Sequence, residues 1–165
     1  METKGLDDLF LETLKDVYYA EQEILGSLQE LESAAESERL REAFRHHHSE
    51  TEGQIVRLEQ VFGLLGVEPD IKKCDGIEGI LKEGRGALRE FGGTPAGDAA
   101  LIASAQAVEH YEITRYGTLR RWAGLLGLDK AAELLGETLE EEALTDDLLT
   151  DIADAMANVK ATLTE

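Results

Sequence analysis

One cysteine, two prolines and one tryptophan stand in 165 residues, and aromatics make up 5% of the chain. Each scarcity excludes something. Cys74 has no second cysteine to pair with, so the chain is no disulfide framework, and a reducing cytoplasm is the expected compartment. Only Pro69 and Pro95 interrupt the backbone, which leaves long stretches free to be helical. With few aromatics and an abundance of Ala, Leu and Glu, the composition predicts an all-α protein. No apolar run approaches the roughly 20 residues that span a bilayer, and no charged-then-apolar leader opens the chain. Basic residues are few as well. Lys and Arg number 16 against 35 Asp and Glu, a formal net charge of −19. A phosphate backbone would be repelled, so nucleic acid is excluded as a partner and an anionic membrane surface is disfavoured. Most of that charge reads as a solvated acidic face; part of it can draw in metal cations.

Against these absences stand four long apolar stripes at helical spacing, each broken near its middle by polar or acidic side chains. Phe10, Leu14, Val17, Ile24, Leu28 and Leu31 form the first, with Glu21 in line. Leu40, Ala43, Leu58, Val61 and Leu65 form the second, running through His47, Glu50 and Gln54. The third holds Ile102, Ala105, Tyr116, Leu119, Ala123 and Leu126, with Glu109 and Glu112. The fourth holds Leu128, Ala132, Leu135, Leu139, Leu149, Ala153 and Met156, with Glu142 and Asp146.

The helices are expected at about 5–34, 38–65, 97–125 and 129–162, with Ser37 and Asp129 as caps and Gly66 and Gly124 or Gly127 as stops. Between the middle two lies a stretch rich in glycine, with Pro69 and Pro95 in it, where Ile77, Ile80, Leu81, Leu88 and Phe91 suggest a short helix over 75–91. The first and last pairs are joined by tight turns, whereas the middle connection is about thirty residues, enough to traverse a bundle. Short, long, short is the pattern of a single ferritin-like domain over 1–165: a four-helix bundle with one long crossover containing a short fifth helix.

The acids share a height. Glu21, Glu50, Glu109, Glu112 and Glu142 each lie some 14–17 residues from a hairpin turn, which at ~1.5 Å per residue puts them roughly 21–26 Å away, near the bundle's midpoint. Surface acids have no reason to share both a face and a level. Buried carboxylates are costly unless compensated, and two divalent cations would compensate them. Glu21, Glu50, Glu109 and Glu142 are the core candidates, with Glu112 and Asp146 one helical step away. His47, three residues before Glu50, either ligates a metal or hydrogen-bonds a ligating carboxylate. Carboxylate bridging favours iron or manganese; zinc, magnesium and calcium also suit oxygen-rich sites.

Bland readings compete. His46, His47 and His48 point about 100° apart, so only one can face inward, and His46, His48 and His110 are expected in solvent. Gln54 reads as a core hydrogen-bonding residue, and Tyr116 as a packing residue placed to bond a ligand carboxylate. Tyr18, Tyr19 and Tyr111 read as packing, and Cys74 has no evident role. A one-residue register error would exchange Glu142 for Glu141 on the inner face.

The segments YYAEQEIL, LREAF followed by HSETEGQIVRLEQVFGLLG, AVEHYEITRYGTL and TLEEEALTDDLLTDIA resemble, in order and over nearly the whole chain, the YciE/YciF family of ferritin-like proteins. The resemblance implies five helices, a homodimer, an association with bacterial or archaeal stress, and a ferritin-like metal site. In the ferritin-like ligand pattern Glu21 and Glu109 match the acids of the first and third helices. Glu50 and Glu142 match the acids of the Glu-x-x-His motifs, but Gly53 and Thr145 stand where histidines belong. That departure makes the site richer in oxygen donors.

Two functions of different kind follow. One is a dinuclear metal-binding protein acting on peroxide, dioxygen or iron under stress, whose enzymatic status is open. The other is a non-enzymatic helical interaction module whose acids are met by Arg or water; the absence of Lys and Arg from the central stripes speaks against it. An iron-storage cage is a third reading.

Overall fold

Residues 3–163 are described by the computed structural model of the chain. Five long helices follow one another: α1 (Leu6–Ala34), α2 (Glu38–Leu64), α3 (Asp75–Phe91), α4 (Gly97–Leu125) and α5 (Asp129–Ile152). No strand occurs among the described residues. α5 runs on through a π-helical turn at Ala153–Ala157 into a last short helix, α6 (Asn158–Ala161).

The ends are set by local chemistry. The Asp8 carboxylate accepts from Gly5 N–H at 2.8 Å, closing the start of α1. Ser37 caps α2 by accepting from Leu40 N–H. Asp129 does not cap α5: Leu128 is the cap residue, and Asp129 opens the first turn, where the helix dipole favours an anion. α2 and α4 stop in the same way. Val67 N–H bonds Phe62 O and Leu128 N–H bonds Ala123 O, six-residue closures that need a left-handed residue between. Gly66 (φ 70°) and Gly127 (φ 73°) supply it.

α1 packs on α2 and α4, and α5 packs on α2 and α4, so the bundle order is α1–α2–α5–α4 with every neighbour antiparallel. α2 ends at one end of the bundle and α4 begins at the other. The crossover therefore travels the bundle's length, carrying α3 along the outside of α4 and α1. Ile77 and Leu81 of α3 are buried there.

The core is in two parts. Ile24, Leu28, Leu40, Phe44, Ile102 and Leu149 belong to one apolar cluster. Phe10, Leu14, Leu58, Phe62, Leu119 and Leu135 belong to the other. Between them lies a belt of buried polar side chains: Glu21, His47, Thr51, Gln54, Glu109, Glu112 and Glu142. An apolar core is interrupted across its width only when something is gained there, because each buried polar group must find a partner.

The buried face of α5 differs from the expected stripe. Ala131, Leu134 and Leu135 enter the core, while Ala132 and Leu139 sit at its edge. α5 has two neighbours, and its buried face is correspondingly wide. Met156, expected inward, is 37% exposed. In the π turn Asn158 N–H bonds Ala153 O, five residues back, so Ala157 rather than Met156 comes to lie over Ala153.

Candidate metal centre

Every helix of the bundle contributes to the belt. Glu21 comes from α1, His47 from α2, Glu109 and Glu112 from α4, and Glu142 from α5; all are buried. One ligand atom from each of His47, Glu109, Glu112 and Glu142 falls within 4.8 Å of the others. His47 Nε2 is 3.1 Å from Glu109 Oε1 and 3.6 Å from Glu142 Oε2. Glu21 adjoins this group from the α1 side, where its carboxyl and that of Glu112 influence each other's protonation.

The belt is held from behind. Tyr116, itself fully buried, donates its hydroxyl proton to Glu21 Oε1. Gln54 donates from Nε2 to Glu142 Oε1, and at 3.0 Å to Glu141 Oε2. Thr51 Oγ1 donates to His47 O at 2.8 Å. On the other side of the imidazole, His47 Nδ1 lies 3.2 Å from Glu50 Oε2 and 3.2 Å from Thr145 Oγ1. An ionised Glu50 there holds the Nδ1 proton, so that Nε2, which faces the carboxylates, is the nitrogen able to exchange its proton for a metal.

What these supports leave over is decisive. Among the described residues, Glu21 Oε2, His47 Nε2, Gln54 Oε1, Glu109 Oε2, both Glu112 oxygens and Glu142 Oε2 are buried with no hydrogen-bond partner. The His47 approach to Glu109, though short, does not have hydrogen-bond geometry. These orphans are carboxylate and amide oxygens and one imidazole nitrogen, all in one belt. Such a group could hold a metal ion, which takes lone pairs and offsets negative charge together.

The same frustration sets the protonation of the metal-free chain. Burial pushes the Glu21 carboxyl up to about 7, with Glu112 and Tyr116 pulling it part of the way back. Burial, then the neighbouring Glu142, Glu21 and Glu109, drive Glu112 well above the usual carboxylate range. Burial and Glu109 do the same to Glu142. Burial opposes the His47 imidazolium, but the Glu109 and Glu50 carboxylates outweigh it and raise its pKa well above the ordinary value.

Several sequence candidates lie outside the inner group. Glu50, taken as a core ligand, is half-buried with its oxygens on His47, His46 and Thr145, because its position on α2 faces the α2–α5 seam. Partial burial would raise its carboxyl, yet His47, His46 and Thr145 hold it below the usual range. Asp146 lies on the α4–α5 side, accepting from Gln106 and standing 3.0 Å from His110 Nε2, since four residues turn about 400° and leave it roughly 40° past Glu142. His46 and His110 are exposed and His48 is half-buried against Gln29. Glu141 and Glu142 divide as neighbours on a helix must: Glu142 faces in, while Glu141 forms a two-pronged pair with Arg57 at 2.6 and 2.8 Å. Thr145, visible in the sequence only as a missing histidine, bonds both His47 and Glu50. Its spacing three residues after Glu142 was the available signal.

Among the described residues no helix is long and apolar enough to cross a membrane. A family model described as a domain of unknown function, DUF892, matches residues 5–162. Protein YciF of Escherichia coli strain K12 is 44% identical over 165 residues, covering 98% of each chain. The crystal structure of the E. coli stress protein YciF matches with a TM-score of 0.88 at 41% identity, over 98% of this chain and 100% of that one. YcfI from Rhodopseudomonas palustris, described as a candidate structural protein, matches with a TM-score of 0.87 at 41% identity, over 89% of this chain and 94% of that one. The ferritin-like bundle with its long crossover is thus shared across these relatives, and the chain belongs to the DUF892 family, that of YciF.

Proposed function

We propose that the chain is a ferritin-like dinuclear metal-binding protein, holding two divalent cations in its central belt and acting in a stress response on peroxide, dioxygen or iron. The observation that carries this reading is the set of orphaned buried acceptors drawn from all four bundle helices. The donors are unequal. His47, Glu109, Glu112 and Glu142 surround one position with a nitrogen among the oxygens. Glu21, with Glu112 between the two, offers the other an oxygen-only environment. Iron or manganese suits both, and zinc, magnesium or calcium remains chemically compatible. Bound iron or manganese would supply redox capacity. The chain's own contribution is a buried set of donors, with Gln54 and Tyr116 orienting Glu142 and Glu21 and Glu50 orienting His47. A stress role has the support of the E. coli relative, described as a stress protein; a homodimer rests on the family resemblance, and a cytoplasmic setting on the lone cysteine.

Elemental analysis of chelator-stripped, reconstituted protein tests the reading. Two metals per chain, reduced by Glu109→Ala and by Glu142→Gln, are expected. No bound metal after loading with iron, manganese and zinc would overturn it in favour of a non-enzymatic helical module, its buried acids kept as neutral carboxyls.

A further inference from the structure

The belt is sealed by two apolar clusters above and below it, so a cation must arrive sideways, between helices. Exposure grades along one chain of contacts. The His46 side chain is 68% exposed, and its Nε2 is 3.1 Å from Glu50 Oε1. The Glu50 side chain is 21% exposed, and its other oxygen is 3.2 Å from His47 Nδ1. The His47 side chain is 2% exposed, and its far nitrogen faces Glu109 and Glu142. Solvent is linked to the buried site by three polar side chains of one helix. They meet α5 at Thr145, whose hydroxyl donates to Glu50.

Of the other acids near this level, Glu141 reaches inward only through the Gln54 amide, and Asp146 does not reach inward. Glu141 is neutralised by Arg57. Asp146 is engaged by Gln106 and His110 on the opposite seam of α5. Glu50 has no Lys or Arg on it among the described residues; its partners are histidines and a threonine, all able to give way to a cation or to ligate it.

Resting on the metal-binding reading above, we propose that Glu50 and His46 form the intake port for the divalent cation at the α2–α5 seam. The cation is first held by Glu50 and His46 at the surface and then passes to the His47, Glu109 and Glu142 group as Glu50 swings on its own side-chain torsions. The net charge of −19 concentrates cations at the protein, and Glu50 is where that attraction opens into the core. The port is a kinetic device. It speeds intake and release alike and does not change the final affinity.

Stopped-flow uptake of Co(II) by the metal-free full chain tests this, followed through the visible absorption of the bound ion and paired with release into excess EDTA. Glu50→Gln keeps an oxygen for His47 Nδ1 but loses the charge; His46→Ala leaves His47 untouched. His46→Ala is expected to bind cobalt as tightly as the parent; Glu50→Gln, which also loosens the hold on His47, is expected to reach the same stoichiometry at saturating cobalt. Uptake should slow by about tenfold or more in Glu50→Gln and less in His46→Ala, and in His46→Ala release should slow in proportion. Unchanged rates in both variants would overturn the port. So would a Glu50→Gln variant that takes up cobalt at the parent's rate and only releases it faster, which would leave Glu50 with no part in intake. A parent chain that takes up no cobalt would overturn the metal-binding reading itself, and the port with it.

Discussion

Glu50 and His47 lie three residues apart on α2, and the carboxylate of the first meets the imidazole of the second at 3.2 Å on the side away from the buried acids. With Nδ1 held by Glu50, Nε2 is the nitrogen left for a metal. This has a consequence for metal preference. His47→Ala removes the nitrogen donor placed against the carboxylates. Affinity for zinc or cobalt, measured calorimetrically, should fall about tenfold to a hundredfold, while the weaker affinity for magnesium changes much less. Equal losses for both kinds of ion would show that His47 does not ligate.

The pH dependence of the metal-free chain should run opposite to that of the loaded one. Burial lifts Glu21 to about 7 from the ordinary 4.5, so between these values the folded chain holds a proton that the unfolded chain has lost. Its contribution to stability is complete below the unfolded value and is lost as the pH rises through the folded one, on the order of 3 kcal/mol for this group. Glu112 and Glu142 are shifted the same way, burial first, and the raised His47 is likewise lost as its proton leaves. The metal-free Tm should therefore begin to fall above about pH 4.5 and keep falling through about pH 7. Metal competes with those protons, so the stabilisation given by metal should grow over the same range. Calorimetric scans with and without metal check both slopes.

Glu141 and Glu142 offer a control that differs by one position. Glu142→Gln should lower metal content and leave the metal-free chain as stable as the parent or more so, because a buried carboxyl is replaced by a neutral amide of like shape. Glu141→Gln should keep full metal content and cost roughly 1 kcal/mol or less, since its pair with Arg57 is partly exposed and screened. Urea unfolding together with elemental analysis separates the two.

Asp98 supports the fold away from the belt. From the first turn of α4 its two oxygens accept from Glu36 N–H at 2.8 Å and Ser37 N–H at 2.9 Å, tying down the α1–α2 turn. Asp98→Ala leaves two backbone donors without that partner and should cost about 1–3 kcal/mol in urea unfolding, with metal stoichiometry unchanged.

Helix number, approximate limits and topology were legible in the chain itself, because they depend on local periodicity, on Gly and Pro at the turns and on the length of the crossover. So was the level of the acids, which follows from counting residues at a constant rise from each turn. Rotation about each helix axis was not legible. Neighbouring residues differ by about 100°, and only contact with two packed neighbours decides which one faces inward. Tertiary packing therefore selected Glu142 over Glu141, moved Glu50 to the seam, turned Asp146 toward His110, and set Thr145 against His47. Periodicity along one chain carries the fold and the height of the site; which atoms face one another across it depends on four helices packed together, information that no single helix holds.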